Sequence, residues 1–328
     1  MESFYKKVYG QAWQIIKTNW YLLFFGVFVV TIGLTGEFKS LIVLDNQDSL
    51  LASLSDWIKI SQGILSGNFD FSNIALLSQT LGILFFFAVL LVLGISSQGA
   101  LINATAQNQK SAKKNNQGLL SENLNVVVNN FWSLLGLTIL NKLVAFIFVA
   151  GVIVPIIYAI YLVHTPDLAN FFVAIVIFFS FIPLTILISF ITRYGAAFLI
   201  IKRRSMIAAF FDGWTLFRLN WLISLENALL LSLLTGLYTI AIISILALVF
   251  TQFLILSYII LQLSTVGFWI LIFAGTLIAI IIFVLATAFY GAYYTVVWTE
   301  VFLRLTSKIK SFSKTERLIK KHLPMLNR

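Results

Sequence analysis

Residues 268 to 288 read FWILIFAGTLIAIIIFVLATA, an uncharged and almost wholly apolar run. About 20 such residues in a helix rising 1.5 Å per residue cross a hydrocarbon core of roughly 30 Å, so this run has the length of one membrane span. Its apolar character extends from Phe268 to about Trp298, and five more runs share it: Trp20 to Gly36, Ile74 to Ile95, Phe131 to Val163, Phe171 to Ile191 and Trp221 to Phe250. Phe253 to Leu263 is apolar but too short to span, and is expected as an outer-surface or re-entrant helix broken from the sixth span by Ser264 to Gly267. The runs are continuous rather than alternating with period two, which excludes a closed β-barrel. Composition agrees: 60% of residues are hydrophobic and 10% charged, whereas soluble domains are about a quarter charged. The chain is therefore expected to be all-α, a polytopic integral membrane protein forming a single membrane domain of six transmembrane helices. These pair as three helical hairpins, about 1–105, 119–192 and 205–304, with amphipathic juxtamembrane helices and a basic amphipathic tail over 305–328.

Basic residues orient the spans, because Lys and Arg in short connections are retained on the cytoplasmic side. Lys6, Lys7 and Lys17 precede the first span, Lys110, Lys113 and Lys114 follow the second, and Arg193, Lys202, Arg203, Arg204 and Arg218 follow the fourth. The tail adds Arg304, Lys308, Lys310, Lys314, Arg317, Lys320, Lys321 and Arg328, while the other connections are mostly acidic. Both termini are expected in the cytoplasm, and the location is a cell membrane, crossed several times. The net charge of +10 fits anionic lipid head groups as partners rather than nucleic acid, since it is spread over juxtamembrane connections. The absence of cysteine excludes disulfides and thiolate metal sites. No cleavage site follows the first run, so that span is expected to stay.

The polar-to-apolar junctions repeat. Trp13-Gln14-Ile15-Ile16-Lys17-Thr18-Asn19-Trp20 opens the first span, and Trp214-Thr215-Leu216-Phe217-Arg218-Leu219-Asn220-Trp221 opens the fifth; a weaker copy, Leu124 to Phe131, precedes the third. Parallel rather than inverted repeats follow. Trp13, Ile16 and Trp20 fall on one helical stripe suited to the membrane surface. The interfacial anchors are accordingly Trp13, Lys17, Asn19, Trp20, Trp214, Arg218, Asn220 and Trp221, with Lys17 and Arg218 reaching head groups and Asn19 and Asn220 suited to N-cap the spans. Leu50, Leu51, Leu54, Trp57, Ile58 and Ile64 suggest a further surface-lying helix in the first outer loop.

Ionisable residues inside spans are costly and mark functional candidates. Lys142 in span three and Glu226 in span five are expected to form an intramembrane polar pair, with Asn141 and Asn227 beside them. Pro155 and Pro183 sit within spans three and four, where each removes a backbone hydrogen bond and tends to kink the helix. Gly275 with Ala279 and Ala288 with Ala292 place small residues four apart along span six, which permits close helix approach within the monomer.

Chemistry is sparse. His164 lies in an outer loop and His322 in the tail, so no paired-His metal site, His-based triad or carboxylate dyad emerges. No Walker A sequence occurs. No catalytic, cofactor-binding or metal residue is expected.

Thr192-Arg193-Tyr194-Gly195-Ala196-Ala197-Phe198, then Ala209-Phe210-Phe211-Asp212-Gly213-Trp214 to Asn220-Trp221, resembles the cytoplasmic link of a bacterial six-span family related to the membrane domain of glycerophosphoryl diester phosphodiesterases. The closing Tyr293-Tyr294-Thr295-Val296-Val297-Trp298-Thr299-Glu300 is similar to that family's last-span exit. The resemblance implies the membrane module without the hydrolytic barrel. The functional expectation is a non-enzymatic membrane scaffold or accessory subunit with interfacial lipid contacts. The alternative is a transporter or lipid-handling protein using the polar site between spans three and five.

Overall fold

The computed structural model describes residues 4–31, 71–110, 119–163, 166–176, 179–180 and 182–307. Among them every regular element is helical: α1 Phe4–Thr18, α2 Leu22–Thr31, α3 Phe71–Lys110, α4 Leu119–Phe148, α5 Val154–Val163, α6 Pro166–Val176, α7 Ile182–Lys202, α8 Met206–Leu219, α9 Trp221–Leu261 and α10 Thr265–Leu305. Among the described residues five continuous helical segments are long and apolar enough to cross a membrane: Leu81–Asn108, Asn125–Ile160, Pro183–Lys202, Trp221–Leu261 and Thr265–Leu305. A sixth candidate is the pair α1 and α2, bent by 115° at their junction. The surface helix expected around Leu50 to Ile64, His164, and the tail beyond Ser307 lie outside the described residues.

The chain divides into two units, one of Met1–Thr35, Gly94–Ile139 and Phe190–Arg328, the other of Gly36–Leu93 and Leu140–Ser189. These boundaries fall within α3, α4 and α7. In the first unit burial concentrates where α9 begins and α10 finishes. Ile223, Ala228 and Leu231 are buried on α9, and most of Ala286 to Phe302 is buried on α10, whereas Leu237, Ile240, Leu248, Phe273, Ile281 and Phe283 are exposed apolar side chains. Each of these helices has 41 residues and is therefore about 60 Å long at 1.5 Å per residue, twice a hydrocarbon core.

Small residues set the closest approach. Leu22, Phe25 and Val29 bury one face of α2, and between them Gly26 meets α10 backbone to backbone. A Cβ at Gly26 would collide with the Ala288 carbonyl and stand 2.8 Å from the Ala292 nitrogen, and one at Gly291 would collide with the Gly26 carbonyl. The Ala288 and Ala292 pair thus packs inside the monomer. Gly213 makes the same kind of approach from α8 to α7, where a Cβ would lie 2.9 Å from the Gly195 nitrogen and 3.0 Å from the Ile191 oxygen.

Three expectations about the spans are corrected. Phe253 to Leu261 is no separate surface or re-entrant helix but the continuation of α9, which runs unbroken from Trp221. The break at Ser264 does occur: its hydroxyl accepts from the Gly267 N–H and caps α10. Thr192, Arg193 and Tyr194, expected in the polar link after the fourth span, lie inside helix α7. Pro155 is absorbed within its helix. A π-helical turn over Val149–Ile153 precedes it, and the Val154 N–H reaches back to the Val149 carbonyl. That widened turn carries the helix past a residue that clashes with an ordinary α-helical ladder.

Candidate functional site

The polar groups of the first unit gather where α1, α7, α9 and α10 pack. The Arg193 guanidinium lies over the rings of Tyr294 at 4.6 Å and Trp298 at 4.9 Å, both on α10. Tyr194, one residue on, is buried, and its hydroxyl shares a 2.7 Å hydrogen bond with the Ser224 hydroxyl of α9. Phe190 stacks on Phe217 with centroids 5.1 Å apart, and Phe198 meets Phe302 edge-on at 4.9 Å. Such pairs each contribute roughly a kcal/mol beyond burial; the first joins α7 to α8, and with Phe190 against Trp298 at 5.4 Å the second makes one face of α7 an aromatic wall against α10.

Beside Arg193 a polar pocket of about 20 Å³ is lined by Gln98, Arg193, Tyr294, Thr295, Trp298 and Thr299. That volume accommodates a single water. The two threonine hydroxyls are spent on their own helix, Thr295 donating to the Gly291 carbonyl and Thr299 to the Thr295 carbonyl.

A second polar set ties α1 down. The Tyr5 hydroxyl donates to the Glu226 carboxylate at 2.5 Å, and the Tyr9 hydroxyl to the Asn227 side-chain oxygen at 3.2 Å. Arg304, at the end of α10, donates to Gln11 at 2.5 Å and lies 3.9 Å from Glu300, a fully buried carboxylate one turn earlier. Burial of Tyr5 and its bond to a carboxylate hold its phenol neutral to well above the ordinary tyrosine range. Val8, Ala12 and Ile16 bury the apolar stripe of α1, while Trp13 packs edge-on against Phe289 of α10 at 5.6 Å.

The expected site residues fall as follows. Glu226 belongs to the first unit and takes the Tyr5 hydroxyl; Lys142 is exposed on α4 in the second unit. Trp13, Lys17, Trp20, Trp214, Arg218 and Trp221 are exposed. Asn19 and Asn220 do not N-cap the spans. Each instead donates its side-chain amide back to the carbonyl four residues earlier, Asn19 to Ile15 at 2.8 Å and Asn220 to Leu216 at 3.1 Å, closing the last turn of the lead-in helix. Asn130, at the matching place in the third junction, makes the same bond to Val126 at 2.8 Å inside an unbroken α4. A carboxamide carries both a donor and an acceptor, and at the first and fifth junctions the donor joins the backbone N–H of the same Asn on one carbonyl, that of Ile15 or Leu216.

Sequence reasoning missed the buried roles of Tyr194 and Glu300 and the contact of Arg193 with two rings. The only signal for Glu300 is a carboxylate ending an apolar run with Arg304 one turn on, a spacing that pairs charges on a helix. Among the described residues no group of three or more His, Cys, Asp or Glu side chains could hold a metal. Compared with protein-family models, curated proteins and solved structures, the chain matches none.

Proposed function

We propose that this chain is a non-enzymatic, multi-pass protein of the cell membrane, a scaffold or accessory subunit whose six spans form three hairpins with both termini in the cytoplasm. The observation that carries this reading is the set of polar pairs in the first unit: Tyr5 with Glu226, Tyr9 with Asn227, Tyr194 with Ser224 and Arg193 over two rings, beside a pocket of one water's volume. Side chains committed to one another in a packed core hold helices in register. Orientation rests on the basic residues, which cluster where the helices are most buried. Likeness to the membrane module of the glycerophosphoryl diester phosphodiesterase relatives is part of this reading and rests on the motif residues. Gly195 and Gly213, both within those motifs, are where α7 and α8 touch.

The alternative is a transporter or lipid-handling protein acting at Lys142 and Glu226, and one experiment separates the two. The chain lacks cysteine, so Asn227→Cys and Thr295→Cys each introduce a single thiol. A scaffold with a packed core leaves both unreactive toward small charged thiol reagents in membranes; a transport path through the bundle makes at least one of them react within minutes and be protected by substrate.

A further inference from the structure

Two apolar grooves flank the contact of Trp13 with Phe289. One, of about 330 Å³, is walled by Trp13, Ile16, Lys17, Trp20, Leu23 and Phe289, and Lys17 is its only charged side chain. The other, of about 400 Å³, runs between α9 and α10 and shares Trp13 and Phe289, with Leu234, Tyr238 and Tyr290 along its floor. Both have the size of ligand pockets, roughly 300–1,000 Å³, and both belong to the first unit.

The grooves are held open by packing. Val8, Ala12 and Ile16 seat α1, and Tyr5, Tyr9 and Gln11 are hydrogen-bonded to α9 and α10, which holds Trp13 edge-on against Phe289. On the far wall Phe289 stacks on Tyr293, and Tyr238 stacks on Tyr290 while donating to the Ala286 carbonyl. Charge selects the occupant. Residues 4–31 contain Lys6, Lys7 and Lys17 and no Asp or Glu, and Lys17 lies in the last turn of α1, exposed, with its stem lining the groove. An apolar slot with an ammonium at its rim and indole rings at the interfacial level matches a lipid whose head group is negative.

We propose that these grooves form a specific site for one anionic diacyl phospholipid, its phosphate on Lys17 and its two acyl chains on either side of the Trp13 and Phe289 contact. The proposal rests on the reading of the chain as a membrane protein that touches lipid at α1, and sharpens it to a defined site. The lipid completes the surface of α1 and couples the position of that helix to the charge of the leaflet.

The test reconstitutes the full chain in vesicles of phosphatidylcholine with one quarter phosphatidylglycerol, with bromine placed on the acyl chains of one lipid or the other. Quenching of Trp13 fluorescence is taken as the difference between the native chain and Trp13→Phe, and Trp269, exposed on α10, serves as the bilayer reference through Trp269→Phe. The expected result is that brominated phosphatidylglycerol quenches Trp13 roughly fivefold more per lipid than brominated phosphatidylcholine, the ratio that one lysine near an anionic surface supplies. Lys17→Gln should abolish that preference, and Trp269 should show none. Equal quenching of Trp13 by both lipids, or by neither while Trp269 is quenched, overturns the site and leaves the membrane reading standing. Failure of either lipid to quench Trp269 overturns the membrane reading itself.

Discussion

The hydroxyl of Tyr5, near the start of the chain, donates a hydrogen bond to the carboxylate of Glu226 in the first turns of α9. With Tyr9 on Asn227 and Gln11 on Arg304, it makes α1 a fixed part of the first unit rather than a loosely lying surface helix. A hydrogen bond to a charged group contributes about 1.5–3 kcal/mol. Tyr5→Phe and Glu226→Gln should therefore each lower stability by about 1–3 kcal/mol in thermal unfolding, and the double variant should lose less than their sum. Additive losses would show that the two side chains do not act together.

The same bond gives a pH dependence. The folded chain raises the Tyr5 phenol above its ordinary value of 10.0, so the folded state holds that proton more tightly than the unfolded one. The stabilisation is fully present below about pH 10 and is lost as pH rises through the folded value. The stability difference between the native chain and Tyr5→Phe should shrink steadily above pH 10; a constant difference up to pH 12 would contradict this.

Two glycines should respond in opposite directions. Gly26 has the α10 backbone where a Cβ would go, and Gly10 has nothing within 4 Å. Gly26→Val should cost about 2 kcal/mol or more, as overpacking does, because a backbone carbonyl cannot move aside. Gly10→Ala should raise stability by roughly 0.5–1 kcal/mol through helix propensity. Thermal unfolding in detergent reads both.

Arg203, between α7 and α8, holds φ at 52°, a region that costs a residue with a Cβ roughly 1 kcal/mol. Arg203→Gly should raise stability by about that amount, and no change in unfolding temperature would show that the left-handed turn is not strained.

Apolar runs could be read from the chain because each spanning helix must satisfy its own backbone in lipid. The start of α10 was legible too, since Ser264 is a capping residue with its acceptor in reach of Gly267. What ran past the eye depends on partners far away in sequence. Phe253 to Leu261 has no local signal separating a short helix from the last turns of a long one. Arg193 looked like the first residue of a polar link, because only the fold brings Tyr294 and Trp298 over its charge. Asn19 and Asn220 are legible as junction residues, but the direction in which each carboxamide bonds, back to the carbonyl four residues earlier, carries no local sequence signal.

The central claim is that this chain threads a membrane with its packed, basic ends on the cytoplasmic side. In the cysteine-free background, Ser205→Cys lies between α7 and α8, and Gln262→Cys lies between α9 and α10. With a membrane-impermeant maleimide applied to intact cells, the account predicts that the thiol at position 262 labels from outside and the one at 205 only after permeabilisation. Equal labelling of both positions in intact cells, or the reverse order, would contradict it.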